Sequence, residues 1–317
     1  MKLSVVSTLY QSEKTLPRFY KQISKEIKKI TSKDYEIILI NDGSPDSSLA
    51  IAKRIVDQDR NVTVLELSRN FGHHQAIMTG LSFAKGELVF LIDSDLEENP
   101  IWLSLFHKTL KKEKCDVVYG VAKQRKGTLF EKITGFLFYR IFRFVTGLEQ
   151  PNNICTARLM KRKYVKGLLM HNEREINFGG LCLITGFHQF AEQVEKNNSS
   201  PTSYSLAKKV SHIINAITSF SNKPLIFIFY AGAMLSTTAV GYITYLMYRY
   251  FFIANSPDGY MSIVASIWLF SGLIIFFNGI QGIYLSKIYL ESKCRPLAIV
   301  SSITGRRKKG DEIRNSN

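Results

Sequence analysis

The sequence predicts an α/β fold with a mostly parallel sheet, followed by two apolar helical spans. Three observations predict it. Short strand-like runs alternate with helical patterns through about the first 120 residues. Four of the predicted strands end in polar clusters: Tyr10-Gln11-Ser12-Glu13, Asn41-Asp42-Gly43-Ser44, Arg69-Asn70-Phe71-Gly72 and Asp93-Ser94-Asp95. From Leu225 onward the apolar runs lengthen sharply.

The elements follow in order. Leu3–Thr8 reads as the first strand and Thr15–Ile30 as a helix. Tyr35–Ile40 is a buried strand and Ser47–Asp59 a helix. Val62–Leu67 is the third strand, His74–Ala84 the next helix and Glu87–Ile92 the fourth strand. Pro100 suits the first residue of a helix running to about Lys112, because its missing N–H costs nothing there. Val117–Val121 is the fifth strand. Sheets of this kind carry functional loops at the carboxyl ends of their strands, where the polar clusters fall.

The chain divides into a core at 1–127, a region at 128–224, two spans within 225–289 and a basic tail at 290–317. Residues 128–147 interleave Phe, Leu and Ile with Lys132, Arg140 and Arg143, a pattern of helices lying in a membrane interface. The same pattern suits a core-facing helix with solvated cations. The spans, Leu225–Tyr248 and Met261–Lys287, hold about 24 to 26 uncharged residues each, enough to cross a bilayer. The alternative is one buried helical hairpin in a soluble protein. Lys208, Lys209 and Lys223 precede the spans, and Lys293, Arg295, Arg306, Arg307, Lys308 and Lys309 follow them. The connecting loop at 253–260 has neither Lys nor Arg. This asymmetry places both termini and the large domain on the cytoplasmic side of a multi-pass protein of the cytoplasmic membrane.

The net charge of +16 calls for an anionic partner. No base-reading module accompanies it, so membrane lipid or a phosphorylated substrate is expected rather than nucleic acid. The four cysteines are scattered, which argues against a zinc site or a disulfide framework. No signal peptide is expected at the N-terminus. No G-x-G-x-x-G follows the first strand and no G-x-x-x-x-G-K-[ST] occurs, against a nicotinamide enzyme or a P-loop NTPase.

Asp93 and Asp95, spaced i and i+2 at a strand end, fall on one side of extended chain. Their oxygens suit a hard divalent cation, Mg²⁺ or Mn²⁺, bridging a diphosphate. A polar strand end in which Asp forms a turn would look the same.

Taken together, the motifs resemble the family-2 glycosyltransferases of GT-A (Rossmann-like) fold. Within them they are similar to the polyprenyl-phosphate group of bactoprenol glucosyltransferase and dolichyl-phosphate mannose synthase. The carrying stretches are Ser7-Thr8-Leu9-Tyr10 with Glu13, Asn41-Asp42-Gly43-Ser44-Pro45-Asp46, Leu67-Ser68-Arg69-Asn70-Phe71-Gly72, Ile92-Asp93-Ser94-Asp95-Leu96-Glu97 and Gly282-Ile283-Tyr284-Leu285. The resemblance implies inverting sugar transfer from a nucleotide-diphosphate donor, UDP-linked, to polyprenyl phosphate. It implies that Tyr10 and Glu13 border the nucleotide, Asp42 accepts from its base, and Arg69 holds the loops or the nucleotide. Asp93 would face the donor and Asp95 coordinate the metal. Arg125 would bind acceptor phosphate, though a solvated loop cation fits that position equally. Two departures bear on the acceptor. Thr156 stands where the family carries the Asp of its D-F-R-L motif, and a hydroxyl is no general base near neutral pH. Glu173 or Glu175 could replace it, or be solvated loop charges. The basic residue expected directly before Ser203-Tyr204 is missing. A glycan or other lipid acceptor, and a catalytically silent scaffold, are the alternatives. The absence of Q-x-x-R-W argues against a processive synthase. Packed membrane helices would allow a homo-oligomer.

Overall fold

The computed structural model describes residues 2–122, 153–171, 173, 176–197, 223–252 and 259–305. These fall into two units, one holding the sheet and one holding two long helices.

The eight strands are β1 (Leu3–Leu9), β2 (Tyr35–Asn41), β3 (Val62–Leu67), β4 (Leu88–Leu91), β5 (Val117–Ala122), β6 (Ile154–Lys161), β7 (Gln189–Val194) and β8 (Val300–Gly305). They form one sheet in the order β7-β5-β6-β4-β1-β2-β3-β8. β1 pairs in parallel with β2 and β4, β2 with β3, and β5 with β7. β6 and β8 run antiparallel to their neighbours β4, β5 and β3. The sheet is therefore mostly parallel, as expected.

β1 is buried along its whole length and β2 nearly so, so side chains must be covered on both faces. Alternation decides which face. Val5 and Ile37 join one core with α1 (Leu16–Lys28), α2 (Ser48–Gln58) and α4 (Trp102–Lys112), through Phe19, Ile23, Ala52, Leu103 and Phe106. Val6 and Ile38 join the other, with α3 (His73–Phe83), α5 (Arg162–Leu168) and α6 (Phe178–Ile184), through Ile77, Leu81, Tyr164 and Leu181. The first face is typical of amphipathic helices. Pro17 lies at the first turn of α1, and Leu16, Phe19, Ile23 and Ile27 recur at helical spacing and are buried.

Two differences from the sequence reading stand out. The helix after Pro100 begins at Trp102, because Asn99 and Pro100 form a turn closed by the Trp102 N–H to Asn99 carbonyl bond of 2.9 Å. Within the segment read as a basic tail, Val300–Gly305 forms the edge strand β8. Leu297, Ala298, Val300 and Ile303 pack on the core beneath it. The strand is short and lies between the basic residues Lys293 and Arg295 and the run Arg306 to Lys309, which concealed it.

The second unit contains α7 (Lys223–Phe252) and α8 (Tyr260–Ser292), of 30 and 33 residues. Among the described residues one stretch, Phe270–Ser292, is long and apolar enough to cross a membrane, and none of it is buried. In α7 the corresponding apolar stretch is the shorter Lys223–Leu235. Phe227, Phe229, Tyr230 and Met234 on α7, and Ile275, Phe276, Leu285 and Ile288 on α8, are exposed. Apolar area of this extent requires a non-aqueous environment or a partner. The expected interface helix at 128–147, and Ser203, Tyr204 and Lys208 before the spans, lie outside the described residues.

Candidate active site

β1, β2, β3 and β4 are parallel neighbours, so their carboxyl ends share one edge of the sheet. The first two loops are bound together by hydroxyls and two carboxylates. The Gln11 N–H donates to Ser44 Oγ at 2.8 Å and the Ser12 N–H to Ser48 Oγ at 2.9 Å. Asp46 receives Ser44 Oγ at 2.6 Å, the Ser48 N–H at 3.1 Å and the Glu13 N–H at 3.1 Å. Burial alone would raise its pKa, but the donors from Ser44, Ser48 and Glu13 outweigh burial and lower it to about 2. Glu13 in turn accepts from the Ser47 N–H at 3.2 Å. Tyr10, on the same loop, is 49% exposed and available to a planar ligand.

Asp42 is buried and braces the next loop. One carboxylate oxygen accepts from the Phe71 N–H at 2.7 Å and the other from the Gly72 N–H at 3.0 Å. Arg69 lies 4.0 Å above the Phe71 ring and donates to the Asn70 carbonyl at 2.9 Å. Gly43 makes this approach possible. Its φ is +60°, and a Cβ there would stand 2.6 Å from the Arg69 carbonyl carbon. Gly43→Ala should therefore destabilise the domain by about 2–3 kcal/mol, combining left-handed strain with a backbone clash. Thermal melting checks this, and an unchanged melt would mean that the two loops are not in contact.

Asp93, Ser94 and Asp95 follow β4 near the middle of the sheet. Ser94 is buried and donates to the Thr8 carbonyl at 2.8 Å, locking the turn onto β1. His73, at the start of α3, has Nδ1 3.2 Å from Thr8 Oγ1 and Nε2 3.5 Å from Asp93 Oδ1. Asp93 Oδ1 is buried and accepts no hydrogen bond. Asp95 Oδ1 accepts from the Glu97 N–H at 2.9 Å. Burial is the largest influence on Asp95 and raises its pKa; the charges of Asp93 and Glu97 add to it.

This donor set fits Mg²⁺ or Mn²⁺. It consists of hard carboxylate oxygens, one of them buried with its hydrogen-bonding capacity unspent. Among the described residues no group of three His, Cys, Asp or Glu could hold a metal ion. A two-carboxylate site of this kind suits a cation that keeps waters and takes substrate phosphate oxygens.

Sequence reasoning missed the residue that lies deepest here. Glu98 is 1% exposed, and its Oε1 accepts from the Thr156 N–H of β6 at 2.7 Å. Its Oε2 is buried without a partner. Lys196, beyond β7, places its ammonium 3.9 Å from Glu98 Oε1 and 3.8 Å from Glu97 Oε2. Burial, then the charge of Asp93, push Glu98 up to about 8 against the pull of Lys196 and the Thr156 N–H. The fold thus binds a proton at Glu98 that the unfolded chain releases at about pH 4.3, so stability should fall as pH rises from there toward 8. Glu98→Gln should flatten this fall. Melting temperatures between pH 5 and 8 measure it, and parallel profiles would count against a buried, protonated Glu98. The only sequence signal was a carboxylate three positions past Asp95, in a pair (Glu97-Glu98) that reads as a solvated charge run.

Tyr10, Glu13, Asp42, Arg69, Asp93 and Asp95 thus lie on loops at one sheet edge. Glu173 lies between α5 and α6. Arg125 and Glu175 lie outside the described residues. Thr156 sits in β6, and its amide is already bound by the Glu98 carboxylate.

The sheet order and the acidic strand end define a GT-A-like fold. Residues 4–169 match the family described as glycosyl transferase family 2. The chain belongs to that family, and it is a glycosyltransferase. It is 44% identical to "Putative glycosyltransferases" of Mycobacterium tuberculosis (strain CDC 1551 / Oshkosh), over 96% of this chain and 89% of that one. It is 29% identical to the "Prophage bactoprenol glucosyl transferase homolog" of Escherichia coli (strain K12), over 96% of this chain and 99% of that one. Among solved structures it resembles glucosyl-3-phosphoglycerate synthase of Mycobacterium tuberculosis in complex with Mn²⁺, UDP and phosphoglyceric acid. That match has a TM-score of 0.46 and 18% identity, covering 68% of this chain and 76% of the other.

Proposed function

We propose that the chain transfers a sugar from a UDP-linked donor to polyprenyl phosphate at the cytoplasmic face of the membrane. The carrying observation is Asp93-Ser94-Asp95 at the end of β4, with one carboxylate oxygen buried and unspent. The likeness along nearly the whole chain to a bactoprenol glucosyl transferase homolog supports the acceptor, as does the exposed apolar stretch Phe270–Ser292. On this reading α7 and α8 are both spans, with the sheet domain and both termini cytoplasmic.

Asp93 and Asp95 would hold the divalent cation, whose charge would offset that of the departing diphosphate. Tyr10, Glu13 and Arg69 border the nucleotide. Asp42 fixes the Phe71-Gly72 turn that Arg69 lies against. An oxygen of the acceptor phosphate attacks the anomeric carbon from the face opposite the leaving group. The bond from that carbon to the diphosphate oxygen breaks, and the nucleoside diphosphate departs with the electron pair, inverting the centre. The acceptor is already ionised near neutral pH, so the reaction needs no base at position 156. Arg125 is assigned to the acceptor phosphate. Glu173 and Glu175 are held for the case of a hydroxyl acceptor, where a base is required. A homo-oligomer through the long helices is compatible with this reading; nucleic acid has no part in it.

The test incubates the purified full chain in detergent with labelled nucleotide sugars, polyprenyl phosphate and Mn²⁺. Labelled lipid that disappears with EDTA is the expected product. Transfer only to a glycan would overturn the acceptor assignment. A folded protein inert toward every donor would overturn the enzymatic reading.

A further inference from the structure

The loop carrying Asp93 and Asp95 leaves them through Leu96, whose φ is +63°. A leucine in the left-handed region brings its Cβ against the following carbonyl, so surrounding structure has to hold it there. The hold comes from 101 positions further along the chain. Asn197, three residues beyond β7, donates its side-chain Nδ2 to the Leu96 carbonyl at 3.0 Å. Its backbone N–H donates to the Glu97 carbonyl at 2.9 Å. Lys196 adds its ammonium beside the Glu97 and Glu98 carboxylates, at 3.8 and 3.9 Å. The next link runs inward, since the Glu97 N–H donates to Asp95 Oδ1 at 2.9 Å. Asn197 thus grips the carbonyl of a residue whose amide grips Asp95. β7 anchors the grip through its parallel register with β5, ending at Ala122 opposite Val194.

We infer that Asn197, assisted by Lys196, is a positioning residue for the Asp93–Asp95 pair, fixing from the far edge of the sheet the carboxylates that would hold the cation for the donor diphosphate. The inference rests on the proposed reading of those carboxylates. It also explains why an asparagine serves here. Its amide supplies a neutral donor beside Asp95 and Glu97, where a carboxylate would meet both a carbonyl and like charge.

Two substitutions separate positioning from packing. Asn197→Ala removes the side-chain hydrogen bond. Asn197→Asp keeps the volume and the backbone N–H but replaces the Nδ2 donor with an acceptor. In full-length protein in detergent, both should weaken Mn²⁺–UDP binding about ten-fold by calorimetry, the size expected of support behind a metal ligand. Both should speed amide exchange at Leu96–Glu98 while leaving the melting temperature close to wild type. Loss of binding only in step with general unfolding would overturn the inference, as would Asn197→Asp binding like wild type. The exchange measurement needs no ligand. If wild type binds no Mn²⁺–UDP, the donor reading fails on its own, while unchanged exchange in both variants sinks the clamp.

Discussion

Asp95→Asn should lower sugar transfer by about 10²–10³-fold, the scale of losing one preorganised charge at a reacting centre, with no loss of thermal stability. The two halves of this result have one cause. Asp95 is raised by burial and by the charges of Asp93 and Glu97, so its ionised form is costly in the fold. A raised carboxylate means that the native state binds more protons than the unfolded chain between the two pKa values. Stability therefore falls as pH rises through that interval, and at neutral pH the cost is present in full. Asparagine removes it while keeping an acceptor for the Glu97 N–H. The variant should melt at the wild-type temperature or above it, with the gap closing at acid pH. Such an exchange of stability for function is expected where like charges are held apart for a ligand to bridge. Transfer assays at saturating donor, paired with melts at pH 5 and 8, check both halves. Normal turnover in Asp95→Asn, or turnover indifferent to EDTA, would remove the metal role.

The parts of this molecule that could be read in the sequence are those fixed by local period. β1 through β5 declare themselves by short apolar runs between turn residues, and Asp93-Ser94-Asp95 by its place at the end of one. Partner identity was not readable. Asp42 was expected to meet a nucleotide base, and nothing local in the sequence shows that its two oxygens also take the Phe71 and Gly72 amides. Only the parallel pairing of β2 with β3 brings those groups together. Glu98 resembles a surface charge until β6 supplies the Thr156 amide and closes over it. Leu96 carries no sequence mark of its backbone strain, and Asn197 none of its role in holding it. Each of these features depends on a contact between residues distant in the chain, which periodicity does not encode.

Ending the chain after Lys293 should destabilise the sheet domain by about 3–5 kcal/mol, although every loop of the candidate site would remain covalently intact. The deletion removes β8, which pairs with β3 from Thr63 opposite Gly305 to Leu67 opposite Val300. It strips Leu297, Ala298, Val300 and Ile303 from the core face that α3 covers. Glu66 loses the Ser302 hydroxyl at 2.7 Å, the main influence lowering its pKa, and keeps Lys53 at 3.1 Å. A lowered carboxylate adds stability above its unfolded pKa and loses it as pH falls, so the deletion should cost more at neutral pH than in acid. The open β3 edge would also invite association between chains. The effect should reach the site, because the Ser68 N–H donates to the Ile299 carbonyl at 2.9 Å immediately before Arg69. Without that bond the Arg69–Gly72 loop loses its outer support, so UDP affinity should fall along with the melting temperature. A chain ended after Gly305 retains β8 and is the control. It should melt well above the chain ended after Lys293, whereas equal melting of both truncations would show that β8 contributes nothing to the sheet.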